Sequence, residues 1–229
     1  MKKHIFFDLD HTIWDFDKNA EETLMELYRH YKLDELGLSS ADEFILNYTL
    51  NNHALWADYH LGKISKELLR AERFKRTFVQ MGIVPELVPV QFEADYVRLS
   101  PTKTNLFEGS LKVLEYLQHR YELHIITNGF KETTITKMNV SGLNPYFKNV
   151  IISEDVGYNK PHQAVFQYAL DQAKANKAES IMIGDSLEAD IYGAQNFGMD
   201  AIFFNPLKKE KPAYVTREIY HLEELLLHF

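Results

Sequence analysis

The chain contains no cysteine, which removes disulfides, thiolate metal sites and cysteine nucleophiles at once. It has no excess of positive charge either. With 33 acidic against 25 basic residues the formal net charge is -8, which argues against a general nucleic-acid binder or a protein held on an anionic membrane. No run of about 18 apolar residues occurs. The basic start Met1-Lys2-Lys3-His4 leads into an apolar stretch that breaks at Asp8, too early for a secretory core segment, so a soluble, cytoplasmic protein is expected. Also missing are the P-loop, Gly-x-Gly-x-x-Gly, Gly-x-Ser-x-Gly and His-Glu-x-x-His patterns, which leaves ATP-driven, dinucleotide, serine-hydrolase and zincin chemistries without support. Disorder is not expected: 229 residues with 45% hydrophobic content can bury a full core, as one large domain or as a domain with an insertion.

What is present is an alternation of short apolar runs with helical patterns. Runs at His4 to Leu9, Leu123 to Thr127, Val150 to Ser153, Ile181 to Gly184 and Ala201 to Phe204 read as buried parallel strands. Between the later ones, Leu111-Val113-Leu114-Leu117, Ala164-Val165-Tyr168-Ala169 and Ile191-Ala194-Phe197 recur at three and four residues, as a buried helix face does. Alternating strand and helix implies an α/β fold, a doubly wound (Rossmann-like) parallel sheet of at least five strands. Pro161 is expected in the first turn of a helix, where its missing N–H costs nothing. The stretch between the first two strands is too long for one crossover and shows only helical patterns, over Ala20 to Tyr31, Ala41 to Leu61, Lys66 to Met81 and Pro85 to Leu99. An all-helical insertion is therefore expected at 15–100, with the α/β core formed by 1–14 and 101–229.

In an open α/β sheet, ligands bind outside the carboxyl ends of the strands. That rule collects the polar groups. The first strand ends at Asp8 and Asp10, the second at Thr127-Asn128-Gly129 and the fourth at Gly184-Asp185-Ser186, while Lys160-Pro161 follows the third after a short loop. Several carboxylates, a hydroxyl and an ammonium at one edge need a cation and an anionic substrate to balance them. A hard divalent cation with few protein ligands suits Mg²⁺, with Asp8 and Asp185 as expected ligands. Asp8 can attack phosphorus to give an aspartyl-phosphate, and Asp10 can carry the proton to the leaving oxygen and from the attacking water. Thr127 and the backbone N–H of Asn128 can hold phosphoryl oxygens, and Lys160 offsets charge. Asp190, one helical turn beyond Asp185, can accept from Lys160 or hold a metal-bound water.

Each signal has a plain reading. Asp-x-Asp is common at strand ends and turns, Thr-Asn-Gly is a turn, Lys-Pro is usually a solvated helix start, and Gly-Asp-Ser can be a cap with its helix. Their order carries the functional reading, since four weak signals fall at four successive strand ends.

Asp8-Leu9-Asp10-His11-Thr12, Thr127, Lys160-Pro161 and Gly184-Asp185-Ser186-Leu187-Glu188-Ala189-Asp190 resemble, in order, the four motifs of the haloacid dehalogenase superfamily. The resemblance spans the whole core. It implies that 15–100 is a helical cap and that Mg²⁺ is held by Asp8, the backbone carbonyl of Asp10, and Asp185. Haloalkanoate dehalogenases lack the second aspartate of the first motif, and this chain retains Asp10, so phosphate monoester hydrolysis is implied. Leu55-Trp56-Ala57-Asp58-Tyr59-His60-Leu61-Gly62, with Ile126 to Phe130 and Ile152 to Gly157, further resembles the YjjG-type pyrimidine 5′-nucleotidase branch. Its substrates are nucleoside monophosphates, noncanonical pyrimidines included. Trp56 and Tyr59 could then offer a planar surface to a base, although aromatics three apart on a helix are more often core. The expected partner is a small phosphorylated metabolite, with no nucleic-acid polymer and no membrane. Phosphatases for phosphoglycolate or sugar phosphates use the same chemistry. A phosphoacceptor signalling domain is also acidic and Mg²⁺-binding, but it carries its aspartate on the third strand and has no long insertion.

Overall fold

The computed structural model describes residues 2–229. They divide into two compact units, 2–16 with Thr104–Phe229, and Asp17–Lys103.

The first unit is a parallel sheet with helices on both faces. Its strands are β1 (His4–Phe7), β2 (Glu122–Thr127), β3 (Asn149–Ile152), β4 (Ser180–Gly184), β5 (Asp200–Phe204) and β6 (Glu218–Ile219), and they lie in the order β3-β2-β1-β4-β5-β6. The chain builds outward from β1 through β2 to β3, then crosses back and builds the other way from β4. The carboxyl ends of β1 and β4 therefore flank the reversal of strand order, where neighbouring crossovers diverge and leave a crevice.

Successive side chains point to opposite faces of the sheet, and both faces are covered, so β1 and β4 are buried throughout rather than alternately. Ile5, Phe7, Leu123 and Ile125 pack with Val113 and Leu114 of α5 (Ser110–Gln118), Met138 of α6 (Lys131–Val140) and Leu222 of the last turn. Phe6, Ile126 and Met182 face the other way, onto Val165 and Phe166 of α8 (Gln163–Ala173) and Ala194 of α9 (Gly193–Phe197). A four-residue helix, α7 (Ser153–Val156), follows β3 directly.

Several expectations are corrected. The first strand ends at Phe7, because Leu9 turns its carbonyl to the N–H groups of Ile13 and Trp14 in place of a neighbouring strand. The third runs from Asn149 to Ile152, and Ser153 already belongs to α7. A sixth, two-residue strand was not foreseen, being too short to show a period. Leu111 and Tyr168 sit on exposed helix faces, so the buried stripes run through Val113, Leu114 and Leu117, and through Val165, Phe166 and Ala169. Pro161 stands ahead of its helix: His162 takes the N-cap, its Nδ1 accepting from the N–H of Ala164, so α8 starts at Gln163.

The second unit is helical: α1 (Phe16–His30), α2 (Ala41–His60), α3 (Lys66–Gln80) and α4 (Phe92–Leu99). Ser40 and Ser65 cap α2 and α3, their hydroxyls accepting from the N–H groups of Glu43 and Leu68, as N-cap serines do. The single helix expected over Pro85 to Leu99 is broken into a short turn at Pro85–Leu87 and α4. Pro89 between them lacks the N–H that an unbroken helix needs. The core of this unit is aromatic, with Phe44, Phe78 and Phe92 in mutual contact and Phe74 on Phe92 at 4.9 Å between ring centroids. Buried Arg73 lies over the Tyr96 ring at 4.8 Å and donates to both oxygens of Glu93, at 2.8 and 2.9 Å. Removing one partner of such a pair leaves a desolvated charge. Glu93→Gln should lower stability by about 3 kcal/mol, and Arg73→Met added to it should recover most of the loss in thermal unfolding. A double variant no more stable than Glu93→Gln would contradict this.

Candidate active site

Lys160 is the centre of the site. Its side chain is 1% exposed, and Nζ donates to Asp8 Oδ1 at 2.7 Å, Asp190 Oδ1 at 2.6 Å and the carbonyl of Ile126 at 2.7 Å. One ammonium thus satisfies its three donors on three segments. Asp8 follows β1, its N–H continuing the ladder to the Ile183 carbonyl of β4. Asp190 comes from the wide helical turn Leu187–Tyr192 after β4, and its other oxygen accepts from the N–H of Ser186 at 3.0 Å. It lies directly over Gly184, where a Cβ would come within 2.2 Å of Asp190 Oδ2.

Asn128 holds the lysine's backbone. Its Nδ2 donates to the Lys160 carbonyl at 3.0 Å, and its Oδ1 accepts from the Lys160 N–H at 2.8 Å and the Ser153 hydroxyl at 2.6 Å. This use of the Asn128 side chain, and of Ser153, was not foreseen: the residues are far apart in sequence and the bonds depend on how β2 and β3 end side by side.

Asp185, partly exposed, accepts from the Thr12 hydroxyl at 3.2 Å. One oxygen from each of Asp8, Asp185 and Asp190 lies within 4.8 Å of the others. Three carboxylates against one ammonium leave an excess negative charge, and oxygen donors are what a hard divalent cation takes. The donor set therefore fits such an ion. Both oxygens of Asp190 are already engaged, which leaves Asp8 and Asp185 as the carboxylates free to ligate.

The electrostatics agree with that reading. Burial pushes the Asp8 carboxyl well above the usual carboxylate range, Lys160 opposing and Asp190 and Asp185 adding to the rise. Burial, then Asp190, push Asp185 up to about 7. Burial works against the Lys160 ammonium, but Asp190 and Asp8 outweigh it and raise its pKa.

Asp10 stands apart from this cluster. Its Oδ1 accepts from Lys137 Nζ of α6 at 2.5 Å, and that ammonium also lies 4.2 Å from the Trp14 ring centroid. Lys137 is 4% exposed. Sequence reasoning missed it, because a lysine within a helix reads as a solvated residue; the structure puts it on the buried face of α6 with Thr134 and Met138. Thr127, buried at the end of β2, accepts the N–H of Gly129 at 2.9 Å. A Cβ on Gly129 would lie 3.1 Å from both Asp10 Oδ2 and Thr127 Oγ1, so this glycine lets the two side chains approach. Trp56 and Tyr59 belong to the helical unit, on α2, half-buried and packed edge to face on each other at 5.4 Å.

The carboxylate cluster bridged by a buried lysine lies at the switch point of a doubly wound parallel α/β sheet, and its donor set fits a cation. The family profile of haloacid dehalogenase-like hydrolases matches residues 5–204. The chain belongs to that family. It is 36% identical to the pyrimidine 5′-nucleotidase PynA of Streptococcus pneumoniae, over 98% of this chain and 93% of PynA. It is 29% identical to the pyrimidine 5′-nucleotidase YjjG of Escherichia coli, over 97% and 96%. The magnesium-bound crystal structure of the putative HAD-hydrolase YfnB of Bacillus subtilis superposes with a TM-score of 0.87 at 30% identity, covering 100% of this chain and 99% of YfnB. None of the described helices is long and apolar enough to cross a membrane.

Gly184→Ala should displace Asp190, free Lys160 and lower stability by about 2 kcal/mol or more; an unchanged melting temperature would show that Asp190 does not need this space. Asp185 keeps its proton up to about pH 7 when folded, whereas the unfolded chain ionises near pH 4. The folded state therefore binds more protons between those values, and stability of the metal-free protein should fall as pH rises through that window. Because a cation needs the ionised carboxylates, Mg²⁺ should raise the melting temperature more at pH 8 than at pH 5. An equal rise at both would contradict the protonated site.

Proposed function

We propose that the protein is a Mg²⁺-dependent phosphate monoester hydrolase that works through an aspartyl-phosphate, and that its substrates are nucleoside monophosphates, pyrimidine nucleotides first among them. The observation that carries the chemistry is Lys160, buried and bonded to one oxygen of Asp8 beside Asp185. The likeness to two pyrimidine 5′-nucleotidases over nearly the whole chain supports the substrate class.

Asp8 attacks phosphorus with one carboxylate oxygen while the other faces the cation, and Lys160 steadies the group through Oδ1. The P–O ester bond breaks as the Asp8–P bond forms, and the leaving alkoxide takes a proton from Asp10. Lys137 holds Asp10 Oδ1, so Oδ2 carries that proton. In the second step Asp10 receives the proton of the attacking water, which splits the acyl-phosphate, releases phosphate and restores Asp8. Thr127 and the backbone N–H of Asn128 hold phosphoryl oxygens, and Lys160 offsets the charge that the dianion brings to Asp8. Mg²⁺ would be held by Asp8, Asp185 and the backbone carbonyl of Asp10, and when bound it supplies the positive charge that lets a phosphate dianion approach. Asp190 keeps Lys160 in place. The helical unit, read as the cap, selects the substrate, with Trp56 and Tyr59 as its candidate base platform.

The deciding test is steady-state kinetics with Mg²⁺ over pyrimidine and purine nucleoside monophosphates, sugar phosphates and phosphoglycolate. We expect kcat/KM for pyrimidine nucleotides to exceed that for the non-nucleotides by about tenfold or more. A sugar phosphate or phosphoglycolate as best substrate would overturn the nucleotide reading and keep the phosphatase. Lys137→Met should lower kcat about 100-fold for a nucleotide and less for an aryl phosphate, whose leaving group needs no proton. Equal losses on both would remove Lys137 from the proton path.

A further inference from the structure

The opposite edge of the sheet carries a second set of ligand-bearing side chains, outside the site described above. His4 opens β1, Glu122 opens β2, and His124 stands two residues further along β2. The register puts His4 beside Glu122, and His124 beside Asn149 of β3. Side chains two apart on a strand share a face, so the adjacent strands β1 and β2 bring the three groups together, with Asn149 of β3 beside them. His4 Nδ1 and His124 Nε2 are 3.3 Å apart, and Glu122 Oε2 is 3.7 Å from His4 Nδ1. One ligand atom from each of the three lies within 4.8 Å of the others.

These separations suit a metal. Tetrahedral zinc with bonds of about 2.0–2.1 Å keeps neighbouring ligand atoms roughly 3.3 Å apart, the distance the two imidazole nitrogens already have. Both histidines are buried, His124 completely, while the Glu122 side chain is 55% exposed and gives an ion a route from solvent. The surroundings of His124 also fit. Its ring stacks on Phe6 at 4.7 Å between centroids, and its Nδ1 lies 3.0 Å from the Asn149 amide. An imidazole that ligates through Nε2 carries its proton on Nδ1 and needs an acceptor there. A half-turn of the Asn149 amide presents Oδ1 as that acceptor, with no movement of the backbone. Burial, with His4 adding, holds the His124 pKa down at about 4, so the ring is neutral near pH 7, as a ligand must be.

We infer that His4, His124 and Glu122 form a binding site for a borderline divalent ion of the Zn²⁺ class at the amino edge of the sheet, with water completing the coordination. Mg²⁺ prefers oxygen donors, so the two edges sort ions by softness: oxygen donors at the carboxyl edge, two imidazoles and one carboxylate at the amino edge. The inference does not depend on the phosphatase reading.

The test is calorimetric titration of Zn²⁺ into the full-length protein in excess Mg²⁺, which keeps the carboxyl-edge site filled. We expect one Zn²⁺ per chain, bound about tenfold more weakly by Glu122→Gln and about 100-fold more weakly by His4→Gln. Circular dichroism checks that both variants fold, and the exposed position of Glu122 keeps that variant informative if His4→Gln does not. Co²⁺ in place of Zn²⁺ should show the strong visible absorption of a four-coordinate ion in the wild type and lose it in the variants. Zn²⁺ affinity unchanged by both substitutions, or Zn²⁺ binding abolished by excess Mg²⁺ in the wild type, would overturn the site.

Discussion

The ammonium of Lys160 ties the loop after β3 to the carboxyl ends of β1 and β2 and to the turn after β4. A charge removed from water has to be paired and fully hydrogen-bonded, since an unpaired one costs several kcal/mol. Lys160 meets that condition with Asp8 after β1, the Ile126 carbonyl on β2 and Asp190 after β4. Each of these needs its own support. Asn128 fixes the lysine's backbone on both its N–H and its carbonyl, Gly184 leaves room for Asp190, and the Ser186 N–H orients that carboxylate.

A second buried ammonium, Lys137, separates the two aspartates of the first strand's end. Asp8 pairs with Lys160 and Asp10 with Lys137, each through Oδ1. Two carboxylates two residues apart in sequence thus stand in different electrostatic surroundings. Asp8 shares its surroundings with Asp185 and Asp190, where negative charge is in excess. Asp10 shares its own with Trp14, Thr127 and Gly129. That separation is what lets the proposed chemistry give one aspartate to phosphorus and the other to the proton.

The fold was legible because its signals are local and periodic. Continuous apolar runs marked β1, β2, β4 and β5 to within a residue or two, and the absence of alternation told that the sheet is covered on both faces. Legibility failed where a local pattern was overridden or too short. Pro89 interrupts an otherwise helical stretch, His162 competes with Pro161 for the start of α8, and β6 has only two residues. At the site, Asp8, Lys160, Asp185 and Asp190 were readable together since each lies at a strand end, which the topology rule brings to one edge. Lys137 and the Asn128 side chain were not, because a lysine inside a helix and an asparagine in a turn look ordinary until the neighbouring strand ends are in place. Trp56 and Tyr59 were legible as a pair, and the structure shows the pair in contact.

The central claim is that Asp8 is phosphorylated during turnover, and trapping the intermediate tests it most directly. Protein mixed with a nucleoside monophosphate and Mg²⁺ is acid-quenched within a single turnover, and its peptides are examined by mass spectrometry. The account predicts a phosphoryl group on the peptide carrying Asp8, absent in Asp8→Asn. Turnover in the wild type with that peptide unmodified at every quench time would contradict it.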